Sequence, residues 1–124
     1  MTNKIYKSES SFFVFDKDLN YANSLFGGKL MAEIDCEAAK VAREIAYEVG
    51  ADNAVTVNFH MDFKHPGNKG DLIKMYAILS ETGNSSVKIE VKCYASNKEG
   101  EHYMGIGYTT FVIMKDGKSF KHGL

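Results

Sequence analysis

The chain has 124 residues, which predicts a single domain over residues 1–124, because a second domain would not fit in this length. Its 15 basic and 16 acidic residues leave a net charge of −1, which argues against a dedicated nucleic-acid-binding protein, since such proteins carry a basic excess. Charged residues make up 25% and apolar residues 44% of the chain, the mixture of an ordinary globular protein.

The cellular compartment is predicted from the N-terminus, the apolar runs and the two cysteines. The first ten residues, MTNKIYKSES, are polar and do not form a secretory signal. No apolar run approaches the ~18 residues of a membrane-spanning helix, so no membrane partner is expected. Cys36 and Cys93 lack the CxxC spacing of a metal or redox motif, and free thiols favour a reducing compartment. We therefore expect a soluble, cytoplasmic protein without a bound metal.

In chain order, the stretch IYKSESSFFVF predicts a first strand, which ends at the turn-rich DKDLN. One long helix is predicted from about Gly28 to Val49, rich in Leu, Met, Ala, Glu and Lys and ended by Gly50. After it, the apolar period changes from helical to alternating. Four further strands are predicted between short polar turns: AVTVNFHMDF, LIKMYAILSE, VKIEVKCYA and YMGIGYTTFVIM. Gly105 and Gly107 in the last strand indicate a bulge or a close approach.

The strand that follows the helix alternates between two predicted faces. One face carries Val55, Val57, Phe59, Met61 and Phe63, and the other carries Thr56, Asn58, His60 and Asp62. A single helix is buried most economically by an antiparallel sheet that curls around it and keeps its other face in water. The predicted fold class is therefore α+β, with about five antiparallel strands wrapped around one long central helix.

Asp35 is the anomalous residue of this helix. On a helical wheel the apolar side chains fall in an arc of roughly 120°, with charged residues such as Glu37 opposite. Asp35 lies at the edge of the apolar arc. Its neighbours there are small, Ala39, Ala42 and Ala46, and would let another strand, a second subunit or a ligand chain approach closely. Asp35 is then either a border residue that reaches water, or a carboxylate beside an apolar site that acts as a base or nucleophile.

The loop before the helix, NYANSLFGG, supplies polar groups that can act with this carboxylate. The amides of Asn20 and Asn23 can hold a water molecule or a carbonyl group. Gly27 and Gly28 stand where the helix begins, and free backbone N–H groups there can stabilise a developing oxyanion. An Asn-rich turn and a glycine entry to a helix also occur without any chemistry. Together with Asp35, these are the parts needed to attack an ester or thioester.

The stretch DLNYANSLFGGKLMAEID resembles the signature of the hotdog-fold acyl-CoA thioesterases, of the branch of bacterial acyl-CoA hydrolases and cytosolic acyl-CoA thioester hydrolases. That signature has Asp-x-Asn, a short loop, Phe- or His-Gly-Gly, Leu/Ile-Met and an acidic residue seven positions after the second glycine, which is the spacing from Gly28 to Asp35. The resemblance continues in VTVNFHMDFKHPGNKGD, TGNSSVKIEVKCYA and TTFVIMKDGK, and covers residues 14 to 118.

The resemblance implies an enzyme that hydrolyses acyl-CoA thioesters to CoA and a carboxylic acid without a cofactor. It implies that Asp35 activates water or attacks the thioester carbonyl, and that Asn20 orients the water or the thioester. The backbone N–H groups near Gly27 and Gly28 would polarise the carbonyl. The candidate catalytic residues are Asp35, Asn20 and Gly28.

The resemblance also implies substrate contacts and an assembly. The candidate substrate-binding residues are Asn23, Phe26, Gly27, Met31, Gly83, Ser85 and Ser86. The segment from Gly83 to Ser86 is similar to a stretch that lies near the pantetheine or phosphates of CoA in relatives, although Asn84 replaces a frequent Arg. A homodimer or higher homo-oligomer is implied, paired through a continuous sheet, with sites between subunits that take the Asp and the Asn from different chains.

Two other functions stay open from the sequence. A hotdog domain could bind acyl-CoA without hydrolysing it. His60 and His65 suggest a dehydratase of acyl thioesters, but the helix offers no His partner for Asp35. A serine hydrolase is not expected, because the chain has no Gly-x-Ser-x-Gly elbow.

Overall fold

Six strands and one long helix make up the part of the chain that the structure describes. The structure is a computed structural model of residues 4–124, and the first three residues of the polar N-terminal stretch lie outside the described residues. In chain order the elements are β1 (Lys7–Phe13), a single 3-10 turn (Asp16–Asp18), α1 (Gly27–Glu48), β2 (Asn53–Phe63), β3 (Leu72–Thr82), β4 (Ser86–Asn97), β5 (Gly100–Lys115) and β6 (Lys118–Ser119). The predicted helix is confirmed to within one residue at each end, and a short sixth strand joins the five that were predicted.

All strands belong to one antiparallel sheet. Its order is β1-β3-β4-β5-β2, and β6 pairs with β5 outside this path. The edges are therefore β1 and β2, and α1 contacts all five long strands from one face. Because both edges reach the helix, the sheet curls around it, which confirms the predicted α+β architecture. Among the described residues, no helix is both long enough and apolar enough to span a lipid bilayer.

The core lies between α1 and the inner face of the sheet. The helix residues that are at most 2% exposed recur three or four positions apart, as expected for one apolar stripe: Leu30, Ile34, Ala38, Val41 and Ile45. Ala42 and Ala46 are also fully buried within the single chain. The chain's own packing therefore covers these two alanines. Gly50 ends the helix in the left-handed conformation, with φ of 87°.

The alternation predicted for β2 is wrong at Thr56. The pairing of β2 with β5 shifts between Thr56 and Asn58, so Val57 is an extra residue in the strand. A bulge of one residue reverses which side chains face inward, because the period of a strand is two. Thr56 consequently faces the helix rather than sharing the outer face with His60. The bulge or close approach predicted at Gly105 is confirmed, since the β4–β5 register shifts there.

Glu37 also departs from its predicted place on the polar side of the helix, because it is only 1% exposed. Ser8 and Ser10 of β1 donate hydrogen bonds to its two carboxylate oxygens, and the Lys40 Nζ lies 2.9 Å from Oε1. Edge strand β1 curls over this flank of the helix and buries it. Burial raises the pKa of Glu37, but the hydrogen bonds from Ser10, Ser8 and Lys40 lower it by more, so the pKa lies below its ordinary value.

Replacing Glu37 by Gln tests this tie between α1 and β1. An amide cannot accept hydrogen bonds on both sides, so we expect the free energy of unfolding at neutral pH to fall by about 1–3 kcal/mol. Because folding lowers the pKa of Glu37, its contribution is present above pH 4.5 and is lost as the pH falls through the lower folded value. Urea unfolding of both proteins across this range measures the effect, and parallel pH profiles would contradict it.

Candidate active site

The N-terminus of α1 presents three backbone N–H groups without an acceptor among the described residues. The first intrahelical bond runs from Leu30 N to Phe26 O, and no side chain caps the helix. The N–H groups of Gly27, Gly28 and Lys29 therefore stay unpaired, and the first turn contains no acidic residue. With the positive end of the helix dipole behind them, they form a site for a carbonyl oxygen or an anion.

Phe26 covers this end of the helix, although its side chain is 54% exposed. A Cβ added at Gly28 would lie 2.5 Å from a ring carbon of Phe26, so the ring rests directly on Gly28. A Cβ at Gly27 would meet only the ring of Phe63, at 3.6 Å. The two glycines thus have different roles: Gly28 makes room for the Phe26 ring, whereas Gly27 lies in ordinary contact with the last residue of β2.

Asn20 organises the loop that leads into the helix. Its Oδ1 accepts hydrogen bonds from the N–H groups of Ala22, at 2.9 Å, and Ser24, at 3.1 Å. Asn23 completes this tight turn with a left-handed φ of 64°. Within residues 4–124, the Nδ2 of Asn20 has no acceptor, so the amide keeps two N–H donors for a ligand. Asn23 itself has a turn role and does not line the cavity described next.

A cavity of about 430 Å³ lies at the start of the helix. The loop before α1 and the loop after β2 close it, held together by a hydrogen bond from Leu25 N to Gly67 O of 2.8 Å. Asn20 and Gly27 line one side of the cavity, and Lys64 and His65 lie at its exposed rim. The structure therefore brings together the Asn and the helix N-terminus that the sequence singled out.

Asp35 lies elsewhere, about two helical turns beyond Gly28, or roughly 10 Å along the axis. It is half-buried, and its Oδ1 accepts a hydrogen bond of 3.1 Å from the Thr56 hydroxyl of β2. No described residue donates to its Oδ2. Asp35 does not line the cavity. One chain thus holds an oriented carboxylate beside the open edge strand β2, away from Asn20.

The other predicted substrate-binding residues are also outside the cavity. Met31 is 37% exposed and does not line it. Gly83, Ser85 and Ser86 form the tight turn between β3 and β4, closed by a 2.9 Å hydrogen bond from Gly83 N to Ser86 O. Ser86 pairs with Val112, which pairs in turn with Val55 next to Thr56. This turn therefore lies at the Asp35 end of the sheet.

Some of the charged and ionisable residues of this region line the cavity, and others lie outside it. Lys64 and His65 line the cavity, whereas Lys69 is paired with Asp16 at 2.9 Å. His60 points away from the helix and lies 3.2 Å from Asp62. Within the described part of one chain, no His therefore lies beside Asp35, and His65 lies at the cavity instead. Within residues 4–124, no three His, Cys, Asp or Glu groups come together to hold a metal ion.

The sequence does not predict the positions of two residues of this region. Strict alternation places Thr56 on the outer face, and nothing in the sequence VTV marks the bulge at Val57. The sequence likewise does not identify Met104, which lies at the inner end of the cavity. Only the neighbouring Gly105 hinted at irregular backbone there.

Known proteins match this chain in sequence and in structure. A family model described as the thioesterase superfamily matches residues 22–101. An uncharacterized acyl-CoA thioester hydrolase of Haemophilus influenzae is 35% identical over 109 residues, covering 82% of this chain and 68% of that protein. The chain spans between about half and two thirds of the length of several other curated relatives that it matches.

Solved structures of two relatives share the fold. An acyl-CoA hydrolase of Staphylococcus aureus, in complex with butyryl coenzyme A, coenzyme A and coenzyme A disulfide, has a TM-score of 0.85 at 32% identity, covering 94% of this chain and 71% of that chain. A hexameric hotdog-fold thioesterase of Campylobacter jejuni has a TM-score of 0.78 at 28% identity, covering 90% and 86%. The predicted hotdog fold is confirmed.

The Staphylococcus aureus hydrolase was also solved with single alanine substitutions of an Asp, a Thr and an Asn. The Asn precedes the Asp by 15 residues in that chain, as Asn20 precedes Asp35 here. The Thr follows the Asp by 17 residues there, whereas Thr56 follows Asp35 by 21 residues here.

Alanine at Gly28 tests the contact between Phe26 and the helix, with alanine at Gly27 as the matched control. Alanine in place of glycine in a helix gains up to about 1 kcal/mol. We expect Gly27→Ala to raise the free energy of unfolding within that range and Gly28→Ala to raise it less, because the Phe26 ring must turn away. Urea unfolding and crystal structures of both variants check this, and an unmoved ring in Gly28→Ala would contradict it.

Proposed function

The chain belongs to the thioesterase superfamily, and we propose that it hydrolyses acyl-CoA thioesters to free CoA and a carboxylic acid. The observation that carries the proposal is the cavity at the start of α1, which is lined by both Asn20 and Gly27, the first of three residues with unpaired backbone N–H groups. The activity in the names of the relatives, and the butyryl coenzyme A bound to the Staphylococcus aureus hydrolase, support this substrate class.

The N-terminus of α1 supplies the oxyanion site. The N–H groups of Gly27, Gly28 and Lys29 donate hydrogen bonds to the thioester carbonyl oxygen. When water adds to the carbonyl carbon, negative charge develops on this oxygen, and fixed donors with an aligned helix dipole stabilise it without having to reorganise. Donors of this kind stabilise a transition state by about 3–4 kcal/mol each. The amide of Asn20, on the same side of the cavity as Gly27, orients the attacking water or the thioester.

Asp35 acts either as a general base toward water or as a nucleophile toward the thioester carbon. Its hydrogen bond from Thr56 fixes the carboxylate and leaves Oδ2 free. As a general base, Asp35 takes a proton from the water whose oxygen attacks the thioester carbon; the C–S bond then breaks and the CoA thiolate takes the proton. As a nucleophile, Oδ2 attacks the same carbon, CoA leaves, and water cleaves the resulting anhydride.

Pairing of two chains along β2 would bring Asp35 to the cavity. Thr56, which holds Asp35, lies near the start of β2, whereas Phe63, which packs on Gly27, is its last residue. In an antiparallel pair about a twofold axis, the start of one strand lies beside the end of the other. Each site then takes Asp35 from one chain and Asn20 with the helix N-terminus from the other.

The free edge of β2 suits this pairing. Its backbone is hydrogen-bonded to β5 on one side only, and its side chains Val55, Val57 and Phe63 are 39%, 56% and 55% exposed. An unpaired strand edge with apolar side chains readily accepts another strand. Several relatives are hexameric, which supports the dimer as the building block of a larger assembly.

The proposed compartment is the cytosol. Cys36 and Cys93 are both free thiols; Cys36 is exposed and Cys93 is buried. Burial raises the pKa of the Cys93 thiol to about 12, so it stays protonated and unreactive. Two unpaired cysteines support a reducing environment.

Thiol release from a panel of acyl-CoA thioesters tests the proposed activity. The wild type should release CoA, and Asp35→Asn should lower kcat by about 10²–10⁴-fold, the range for a positioned acid or base, while the urea unfolding curve changes little. Unchanged kinetics in Asp35→Asn would remove Asp35 from the mechanism. Saturable binding of acyl-CoA by the wild type without thiol release would identify a non-catalytic binding module instead.

Glu33→Gln is the matched control for this experiment. Glu33 lies on the same helix, two residues before Asp35, and pairs with Lys29 at 2.8 Å. A partly exposed ion pair one helical turn apart contributes little to stability, and Glu33 does not line the cavity. A loss of turnover in Glu33→Gln as large as that in Asp35→Asn would show that charge on the helix, rather than the position of Asp35, is what matters.

A further inference from the structure

The cavity at the start of α1 changes from a charged rim to an apolar inner end. Lys64 and His65 lie exposed at the rim. Leu25, Leu30 and Met104 line the inner end and are 6%, 2% and 2% exposed. A molecule with an anionic part and a hydrocarbon part fits this gradient with its hydrocarbon inward, because burial of apolar surface is favourable.

A bulge in β5 is what places Met104 at the inner end. Cys93 pairs with Gly105, but the next residue of β4, Tyr94, pairs with Tyr103, so Met104 has no partner on β4. Simple alternation from the inward-facing Gly107 would turn Met104 outward. The extra residue turns it inward instead, which is how bulges beside functional sites redirect a side chain.

The backbone and the thioether of Met104 are both held in place. Its carbonyl oxygen accepts hydrogen bonds from Lys64 N, at 2.7 Å, and His65 N, at 3.1 Å, which ties the rim to the inner end. A Cβ added at Gly67 would lie 3.0 Å from the terminal methyl group of Met104 and 3.1 Å from Ile73. The side chain of Met104 is therefore packed between the loop after β2 and the core, and cannot easily withdraw from the cavity.

On the basis of the proposed thioesterase function, we propose that Met104 sets the upper limit of acyl chain length. With the thioester carbonyl at the N–H group of Gly27, the acyl chain runs inward past Leu30 and ends against the Met104 thioether. Truncation of Met104 to Ala removes three heavy atoms and opens space for about two or three methylene groups. Each methylene group that the cavity then buries should raise kcat/KM roughly threefold to fourfold.

Thiol release from straight-chain acyl-CoA substrates, from acetyl to dodecanoyl, gives the chain-length optimum of each variant. Met104→Ala should move the optimum by about two or three carbons toward longer chains and raise kcat/KM about tenfold for chains just beyond the wild-type limit. Met75→Ala is the matched control, because Met75 is equally buried but does not line the cavity. It should leave the optimum in place. An unmoved optimum in folded, active Met104→Ala protein would overturn the proposal.

Gly67→Ala tests the same proposal, because it should shift the chain-length optimum in the opposite direction. It also provides a test if Met104→Ala does not fold. Its new Cβ presses on the Met104 methyl group, so the optimum should move toward shorter chains. An unmoved optimum or a shift toward longer chains would contradict the proposal.

Affinities for non-hydrolysable thioether analogues of the same series separate this proposal from the proposed function. A wild type that binds the analogues but releases no thiol from the substrates contradicts hydrolysis. The role of Met104 is then decided by whether Met104→Ala moves the optimum of affinity toward longer chains, and an unmoved optimum overturns it. A wild type that neither releases thiol from the substrates nor binds any of the analogues contradicts both proposals.

Discussion

The burial of a single helix by a single sheet is the constraint on which the rest of the structure depends. The apolar face of α1 is covered only because the sheet curls until both of its edges reach the helix. Each edge is tied to the helix by a carboxylate: Glu37 accepts from Ser8 and Ser10 of β1, and Asp35 accepts from Thr56 of β2. Two helix positions only two residues apart thus fix the helix against both edges, and Asp35 is held beside edge strand β2.

The N-terminus of the helix is the second feature on which the proposed site depends. No side chain caps it, so three N–H groups stay unpaired, at a cost in stability that a capped helix would avoid. The loop before α1 and the loop after β2 close around this end of the helix and leave a cavity between them. The proposed chemistry uses those unpaired donors. The bulge that turns Met104 into the cavity, and the one at Val57 that turns Thr56 toward Asp35, are both places where regular pairing gives way beside the proposed site.

The sequence predicts the features that depend on neighbouring residues and misses those that depend on the whole sheet. The limits of α1, the change to alternating strands and the anomaly of Asp35 are set by short-range periodicity, and all three agree with the structure. The proximity of Asn20 and Gly27 follows from a short loop. Thr56 was out of reach, because one extra residue in a strand reverses its faces and the sequence does not mark where it is inserted. Glu37 was out of reach for a different reason: its burial depends on how far β1 curls over the helix, which is a property of the whole sheet.

We propose that each active site is built from two chains, with Asp35 from one and Asn20 from the other. Co-expression of Asp35→Ala and Asn20→Ala chains, each inactive by itself, is the experiment that decides this. Random pairing makes about half of the dimers mixed, and each mixed dimer has one intact and one doubly altered site. Sites shared between chains should therefore restore about a quarter of wild-type thiol release. If both groups of a site came from the same chain, every site would carry one substitution, and the mixture would be no more active than its parents.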